Sequence, residues 1–405
     1  MTRTGPRFVD GIMVFGEPDE KTMQQARTIA NTGNVAGMVM CGDSHLGYSM
    51  PIGGVVAYRD QISPSGVGYD IACGIMAVRT DALAADVRPN IGSILDDIAR
   101  NVSFGLGRSN PTSVDHELFD STTWVDNKAI GSLKDKARAQ LGTVGSGNHF
   151  VDLLEGEDGV LWIAAHFGSR GLGHATATGF LNLAAGRGFF DRPPAEDMMA
   201  APTLIDANSH LGDDYIDAME LAGRYAYAGR EYVMEQVLEI LGATERDRVH
   251  NHHNFGFYEE HNGEKVWVVR KGATPAFPGQ RGFVGGSMGD WAAIVEGIDT
   301  EEARQAFRST MHGAGRIMSR SQARGKRGRQ GQEKRAGLVT RQMMSAATKD
   351  FGVVVRGGDV DESPHVYRPL RDVVAAHAGS VVVREWLRPI GVVMAGADVV
   401  DPFKD

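Results

Sequence analysis

Short apolar runs separated by glycine-framed polar islands recur along the whole chain, and this alternation limits the folds open to it. Runs at 35–40, 74–78, 160–165, 265–270 and 351–356 read as strands. Segments 20–31, 91–102, 214–240, 301–307 and 368–376 read as helices. The third is the clearest, because its apolar residues recur at helical spacing with no internal proline. The order is not a regular strand–helix–strand alternation, so it predicts a mixed α+β class. Glycine accounts for 52 of 405 residues, which supplies many tight turns and backbone-lined sites. No internal repeat or low-complexity linker divides the chain, predicting a single large domain over residues 1–405. Stretches 107–115, 191–206 and 325–333 read as flexible connections.

An apolar content of 42% with 23% charged residues is that of a globular protein. No apolar run reaches the ~18 residues of a membrane span, and the first residues lack the apolar core of a signal peptide. Two distant cysteines, Cys41 and Cys73, cannot build a disulfide framework. Together these predict a protein of the reducing cytoplasm without membrane contact. The net charge of −9 argues against a general nucleic-acid coat. Yet Arg316, Arg320, Arg324, Lys326, Arg327, Arg329, Lys334 and Arg335 face only one acid, Glu333, within their stretch. Such a strip suits a local anion or polynucleotide site, or a solvated face balanced by acidic neighbours.

The polar islands hold the residues able to carry chemistry. In Gly66-Val-Gly-Tyr-Asp70-Ile-Ala-Cys73-Gly, a carboxylate and a thiol stand three residues apart among glycines. They can converge on one metal, and a thiolate sulfur can bridge two; a buried structural cysteine is the plainer reading. Other islands lie at 41–48, with Cys41, Asp43 and His45, and at 142–152, with Asn148, His149 and Asp152. Further islands are 166–174, with His166, Arg170 and His174, 250–254, and 309–322. The chain has 13 histidines and most fall inside these islands, which favours a shared site. Aspartate, cysteine and several imidazoles suit Mn, Fe, Co or Zn. Glycine turns such as 142–148 and 285–289 also suit phosphate, through successive backbone N–H groups. No Walker A loop or dinucleotide fingerprint is present. His312 precedes Gly-Ala-Gly and the basic strip. An imidazole there can attack phosphorus, or serve as an acid–base group or a simple phosphate donor.

Pro51-Ile-Gly-Gly, the run from Ile62 to Gly74, Gly147-Asn-His-Phe and the run from His166 to His174 occur in that order. Arg270-Lys-Gly-Ala-Thr, Gly286-Ser-Met-Gly and His312-Gly-Ala-Gly-Arg-Ile-Met-Ser-Arg follow. Over nearly the whole chain these motifs resemble the RtcB family of GTP-dependent RNA ligases. The resemblance implies one α+β fold with a two-manganese centre in a deep cleft. Asp70, Cys73 and His149 would hold one Mn²⁺; Cys73, His166 and His253 the other, with the thiolate bridging. His312 would attack the α-phosphate of GTP and carry GMP. Asn148, Asp152, Asn254, Gly285, Gly286, Ser287 and Met288, with Gly313, Ala314 and Gly315, match the guanylate pocket. Arg170, Lys271 and Arg320 match positions that bind RNA phosphates. The implied reaction opens a 2′,3′-cyclic phosphate to a 3′-phosphate, guanylylates it, and joins it to a 5′-hydroxyl RNA end. An activator of the archease type belongs to the same expectations.

Four positions depart from the family pattern. Met394 stands where the family's C-terminal lysine is expected, Asp152 replaces a glutamate, Ala292 a serine, and Tyr367-Arg368 a Tyr-Lys pair. Three of these fall on the nucleotide pocket, implying weakened GTP use or a changed nucleotide preference, or drift compensated by Lys404 or Arg388. A metal-dependent phosphohydrolase acting on RNA cyclic or terminal phosphates is the alternative enzyme class. An inactive RNA-binding relative is the non-enzymatic one.

Overall fold

Four of the apolar runs form strands in full and the last only over Val354–Arg356, and two strands, Val35–His45 and Val160–Phe167, extend into the flanking islands. The computed structural model describes residues 5–193, 197–327 and 333–396, leaving aside the side chains at 326, 327, 333 and 334. Among the described residues one sheet runs, in spatial order, Arg7–Val9, Ile12–Val14, Val35–His45, Ile52–Tyr58, Glu264–Lys271 and Asn254–His261. A second runs Glu245–His252, Gly74–Leu83, Val160–Phe167, Phe150–Glu155, Val381–Met394, Ala292–Gly297 and Arg281–Val284. Val354–Arg356 joins it in parallel beside Val381–Met394. The class is mixed α and β, as the pattern predicts.

Apolar faces of both sheets are closed by a shared core. Met13, Val55 and Val268 of the first sheet, with Phe15 next to its strand Ile12–Val14, meet Val284, Ala293 and Val295 of the second. The helix His210–Leu241 then spans the back of both. Its Tyr215, Met219 and Tyr225 pack with Met38, Met40 and Val56 of the first sheet. Its Val233, Met234 and Val237 pack with Met76, Val78 and Ile163 of the second. Ser209 caps its start by accepting from the Gly212 N–H, and Gly242 ends it in the left-handed region at φ 61°. No helix among the described residues is long and apolar enough to cross a membrane.

Several elements differ from the sequence reading for identifiable reasons. Helix Arg170–Ala184, which begins inside the 166–174 island, is not among the segments read as helices, because Gly171, Gly173 and Gly179 lower helix propensity. Tertiary crowding explains the glycines: a Cβ at Gly179 would run into the Phe189 ring, and one at Gly173 into Ser169. Phe351, read as a strand start, instead ends helix Arg341–Phe351, which Gly352 terminates at φ 82°. Proline at 369 delays the next helix to Leu370–Ala376. Within two stretches read as flexible, Ile205–Asp206 pairs with Gln61–Ile62, and Gly325–Arg327 with Glu333–Ala336.

Candidate active site

Antiparallel pairing gathers the predicted metal ligands at one end of the second sheet. Gly74 pairs with both His252 and Phe167, and Phe150 pairs with His166. Cys73 therefore enters its strand where His166 leaves the next one, where His149 enters a third, and where His253 exits a fourth. His253 also begins the crossing to the first sheet, so the cluster sits at the junction of the two. The His253 N–H donates to the Cys73 carbonyl at 2.8 Å, tying those two segments together.

The side chains form two triads that share one sulfur: Asp70, Cys73 and His149, and Cys73, His166 and His253. Cys73 Sγ lies 3.6 Å from His149 Nε2 and 3.2 Å from His166 Nε2. His149 Nε2 lies 2.9 Å from Asp70 Oδ2, and the Nε2 atoms of His166 and His253 approach to 3.2 Å. Outer partners fix two tautomers. His149 Nδ1–H donates to the Val144 carbonyl and His166 Nδ1–H to the Asn148 carbonyl, each at 2.9 Å. Both Nε2 lone pairs thus face inward. These inward lone pairs, with the Asp70 carboxylate, the Cys73 sulfur and His253, fit a cation at each triad.

Protonation follows from the setting. Burial pushes His166 down to about 3, and His253 well below the ordinary imidazole range, so both are neutral near pH 7. Burial, reinforced by Asp70, pushes the Cys73 thiol up. Ion uptake must then release the thiol proton. Between pH 6 and 8, affinity for the first ion is expected to rise about tenfold per pH unit with one proton released. Calorimetric titration in buffers of different ionisation enthalpy checks this; a pH-independent affinity contradicts a thiolate ligand.

His312 lies against this cluster, its ring centre 4.9 Å from that of His253. One oxygen of the fully buried Asp43 receives the His312 backbone N–H at 2.9 Å, the Gly313 N–H at 3.2 Å and the ring Nδ1–H at 2.7 Å. Burial alone would raise the Asp43 carboxyl, but the attraction of His312 and these hydrogen bonds outweigh it and hold it below the usual range. With Nδ1–H donated to Asp43, His312 Nε2 keeps a free lone pair. The sequence reading placed Asp43 in a polar island without a role; its 269-residue separation from His312 hid the pairing. Loop pairing supports the same site: Gly285 bridges Gly313, and the Ala314 N–H donates to the Gly285 carbonyl at 2.9 Å.

Comparison with known proteins adds the decisive observation. The family model described as tRNA-splicing ligase RtcB matches residues 25–131 and 120–395. The chain belongs to the RtcB family. An RNA-splicing ligase RtcB of Escherichia coli K12 is 32% identical over 379 residues, covering 86% of this chain and 87% of that protein. A tRNA-splicing ligase RtcB of Pyrobaculum aerophilum is 32% identical over 474 residues, covering 95% of this chain and 93% of its own length. One of Thermococcus kodakarensis is 31% identical over 457 residues, covering 91% of each.

Two of the four departures, Met394 and Asp152, share one apolar pocket. Phe150 pairs with Met394 and Asp152 with Val392, which puts all four side chains on one face. Met288, Met344, Val353 and Val355 close over them. Beside this cluster, Met344, Val353, Val355 and Gly358 line part of a cavity of about 670 Å³. Asp152 Oδ1 is buried without a hydrogen-bond partner, and burial pushes the carboxyl well up. The Phe150 ring packs against this pocket and lies 5.2 Å from the His166 ring. Ala292 packs in an adjoining apolar cluster with Phe283 and Leu387. Arg368 donates to the carbonyls of Ser44 and Arg316, bracing the segment that carries Asp43. Arg388 is committed to the Phe351 carbonyl, and Lys404 lies outside the described residues.

The expected phosphate contacts separate. Arg170 reaches the cluster, its Nη1 3.1 Å from His149 Nδ1. Lys271 is buried beside Gly68, two residues before Asp70, and donates to the Tyr48 carbonyl at 2.6 Å. Asn254 joins the same wall, its amide donating to the Asp70 carbonyl and its oxygen accepting from the Gly272 N–H. Arg320 instead is paired with Asp361 and Glu362. Arg324 binds Asp359 and Asp361, each at 2.9 Å. These acids, distant in sequence, neutralise part of the basic strip, while Arg329 and the side chains of Lys326, Arg327 and Lys334 lie outside the description. Asn148 exposes its side chain and contributes its carbonyl to His166.

Proposed function

We propose that this RtcB chain is an RNA ligase that joins 2′,3′-cyclic phosphate or 3′-phosphate RNA ends to 5′-hydroxyl ends, using GTP and Mn²⁺. The carrying observation is His312, held by Asp43 with a free Nε2 beside a two-triad cluster of metal-ligating side chains. Asp70, Cys73 and His149 would hold one Mn²⁺, and Cys73, His166 and His253 the other. Bound ions supply Lewis-acid neutralisation of phosphoryl charge.

His312 Nε2 attacks the α-phosphorus of GTP, forming a nitrogen–phosphorus bond as pyrophosphate leaves. Asp43 holds Nδ1–H and stabilises the ring's developing positive charge. An oxygen of the RNA 3′-phosphate then takes the guanylyl group from His312. The 5′-hydroxyl attacks the RNA phosphorus and GMP departs. Arg170 and Lys271 offer positive charge to the reacting phosphates. A phosphohydrolase needs the metal cluster and could use His312 only as an acid–base group, whereas ligation also uses the nucleophile that its free Nε2 supplies. RNA is the macromolecular partner; an archease-type activator and a cytoplasmic location belong to the same proposal.

In this reading the guanine base occupies the pocket of Phe150, Asp152, Met288 and Met394. Met394 cannot donate a hydrogen bond, so Asp152 lacks a cationic neighbour there. Met394→Lys is expected to tighten GTP binding about 10-fold, by adding one charged hydrogen bond worth ~1.5–3 kcal/mol less its own burial cost. Equilibrium binding of GTP to the two proteins measures it; equal or weaker binding by the variant contradicts the pocket assignment. The function itself is tested with two synthetic RNAs, one ending in a cyclic phosphate and one starting with a 5′-hydroxyl. A joined product that requires Mn²⁺ and GTP supports ligation. Conversion of the first RNA to a 3′-phosphate without joining supports the phosphohydrolase.

A further inference from the structure

We propose that Arg230 is a positioning residue for one of the two ion sites: it fixes Cys73, His166 and His253 through their chain neighbours and leaves Asp70 and His149 to other supports. The inference rests on reading the two triads as a metal centre.

Arg230 is fully buried on helix His210–Leu241, where the packing of that helix passes from one sheet to the other. Its Nη1 donates to the carbonyls of Ala72 at 3.1 Å and Phe167 at 2.6 Å. Its Nη2 lies 3.2 Å from His252 Nδ1, and its Nε donates to His250 Nε2 at 2.9 Å. Ala72 precedes Cys73, Phe167 follows His166, and His252 precedes His253. One planar guanidinium thus touches the immediate neighbour of every ligand in one triad. The other triad shares only the sulfur. His149 is held by Val144, and Asp70 by the Cys73 N–H and the Asn254 amide.

Two features argue that the contact does more than fill space. Ala72 adopts the left-handed region at φ 59°, which residues with a Cβ avoid, and this turn aims Cys73 at the cluster. The Ala72 N–H donates to the Asn254 carbonyl at 2.7 Å while Arg230 holds the Ala72 carbonyl, so both ends of the strained unit are fixed. Further, among the described residues Arg230 hydrogen-bonds to no carboxylate, although a buried guanidinium is ordinarily kept by one. Its acceptors are two carbonyls and two imidazoles, all attached to the ligand-bearing segments. A methionine would fill the volume without any of these bonds.

The test is Mn²⁺ titration of the wild-type chain, Arg230→Met and Arg230→Lys, with bound ions counted and electron paramagnetic resonance recorded. Wild type is expected to take two ions whose spins couple through the shared sulfur. Arg230→Met is expected to bind the second ion about 10–100-fold more weakly and, at wild-type saturating Mn²⁺, to show the six-line signal of an isolated ion. Adding His253→Ala to that variant then changes nothing, whereas adding His149→Ala removes the remaining ion. Arg230→Lys keeps one nitrogen near the Ala72 and Phe167 carbonyls and is expected to lose about tenfold; it decides the matter should the methionine variant not fold. Two coupled ions at wild-type affinity in both variants overturn the inference, as does equal weakening of both ions. A wild-type chain that takes up no ion overturns the metal reading itself.

Discussion

Cys73→Ala is expected to strip both ions from the chain, whereas His149→Ala and His253→Ala each remove one. The asymmetry follows from the shared sulfur: each imidazole belongs to one triad and Cys73 to both. Alanine leaves Asp70 and His149 on one side and His166 and His253 on the other, two ligands per ion, too few to hold either firmly. Joining activity should fall by at least about 10³-fold, because Lewis-acid stabilisation is worth several kcal/mol. Cys73→Ser separates chemistry from volume, since its hydroxyl does not ionise near neutral pH, and it should behave like alanine. Ion counts after dialysis give the result directly. A Cys73→Ala chain that keeps one ion at full affinity would show that the sulfur does not bridge.

The second large effect is expected from Asp43→Asn. One Asp43 oxygen collects both backbone N–H groups and the ring Nδ1–H of the His312 segment. Asparagine can keep the acceptor only by burying its amide nitrogen where Asp43 Oδ1 already lacks a partner. It also removes the negative charge that balances a ring carrying phosphorus on Nε2 and hydrogen on Nδ1. Adduct formation on His312 should fall about 10²–10⁴-fold, the range for removing the carboxylate that orients a catalytic imidazole. Nucleotide binding should change little. The same pairing makes stability depend on pH. Since Asp43 is held below its usual range, its contribution is complete above the unfolded carboxyl value, about pH 4, and fades as pH falls through the folded value. Asp43→Asn should therefore lower the melting temperature at pH 7, with a smaller difference in strong acid.

The candidate metal ligands were legible in sequence because they sit in polar islands, most of them framed by glycine. Strand pairing then explains their convergence, since Gly74, His252, Phe167 and Phe150 share one sheet end. Asp43 and Arg230 were not legible as partners. Their contacts join separate segments of the chain, and an arginine inside an amphipathic helix carries no local mark of burial. Helix Arg170–Ala184 was hidden by glycines whose reason is crowding against Phe189 and Ser169. The basic strip was legible as composition, but its charge balance was not, because Asp359, Asp361 and Glu362 come from a distant segment. Met394 and Asp152 stood out as substitutions in sequence. Only the strand register shows that they share one face of an apolar pocket.

The central claim is that His312 becomes covalently nucleotidylated. Incubation with Mn²⁺ and α-labelled GTP, followed by denaturing separation, tests it most directly, with His312→Ala as the control. The account predicts a label that is stable in base, labile in acid, and lost in the variant. No label on a folded, ion-loaded chain, or a label that survives His312→Ala, would contradict it.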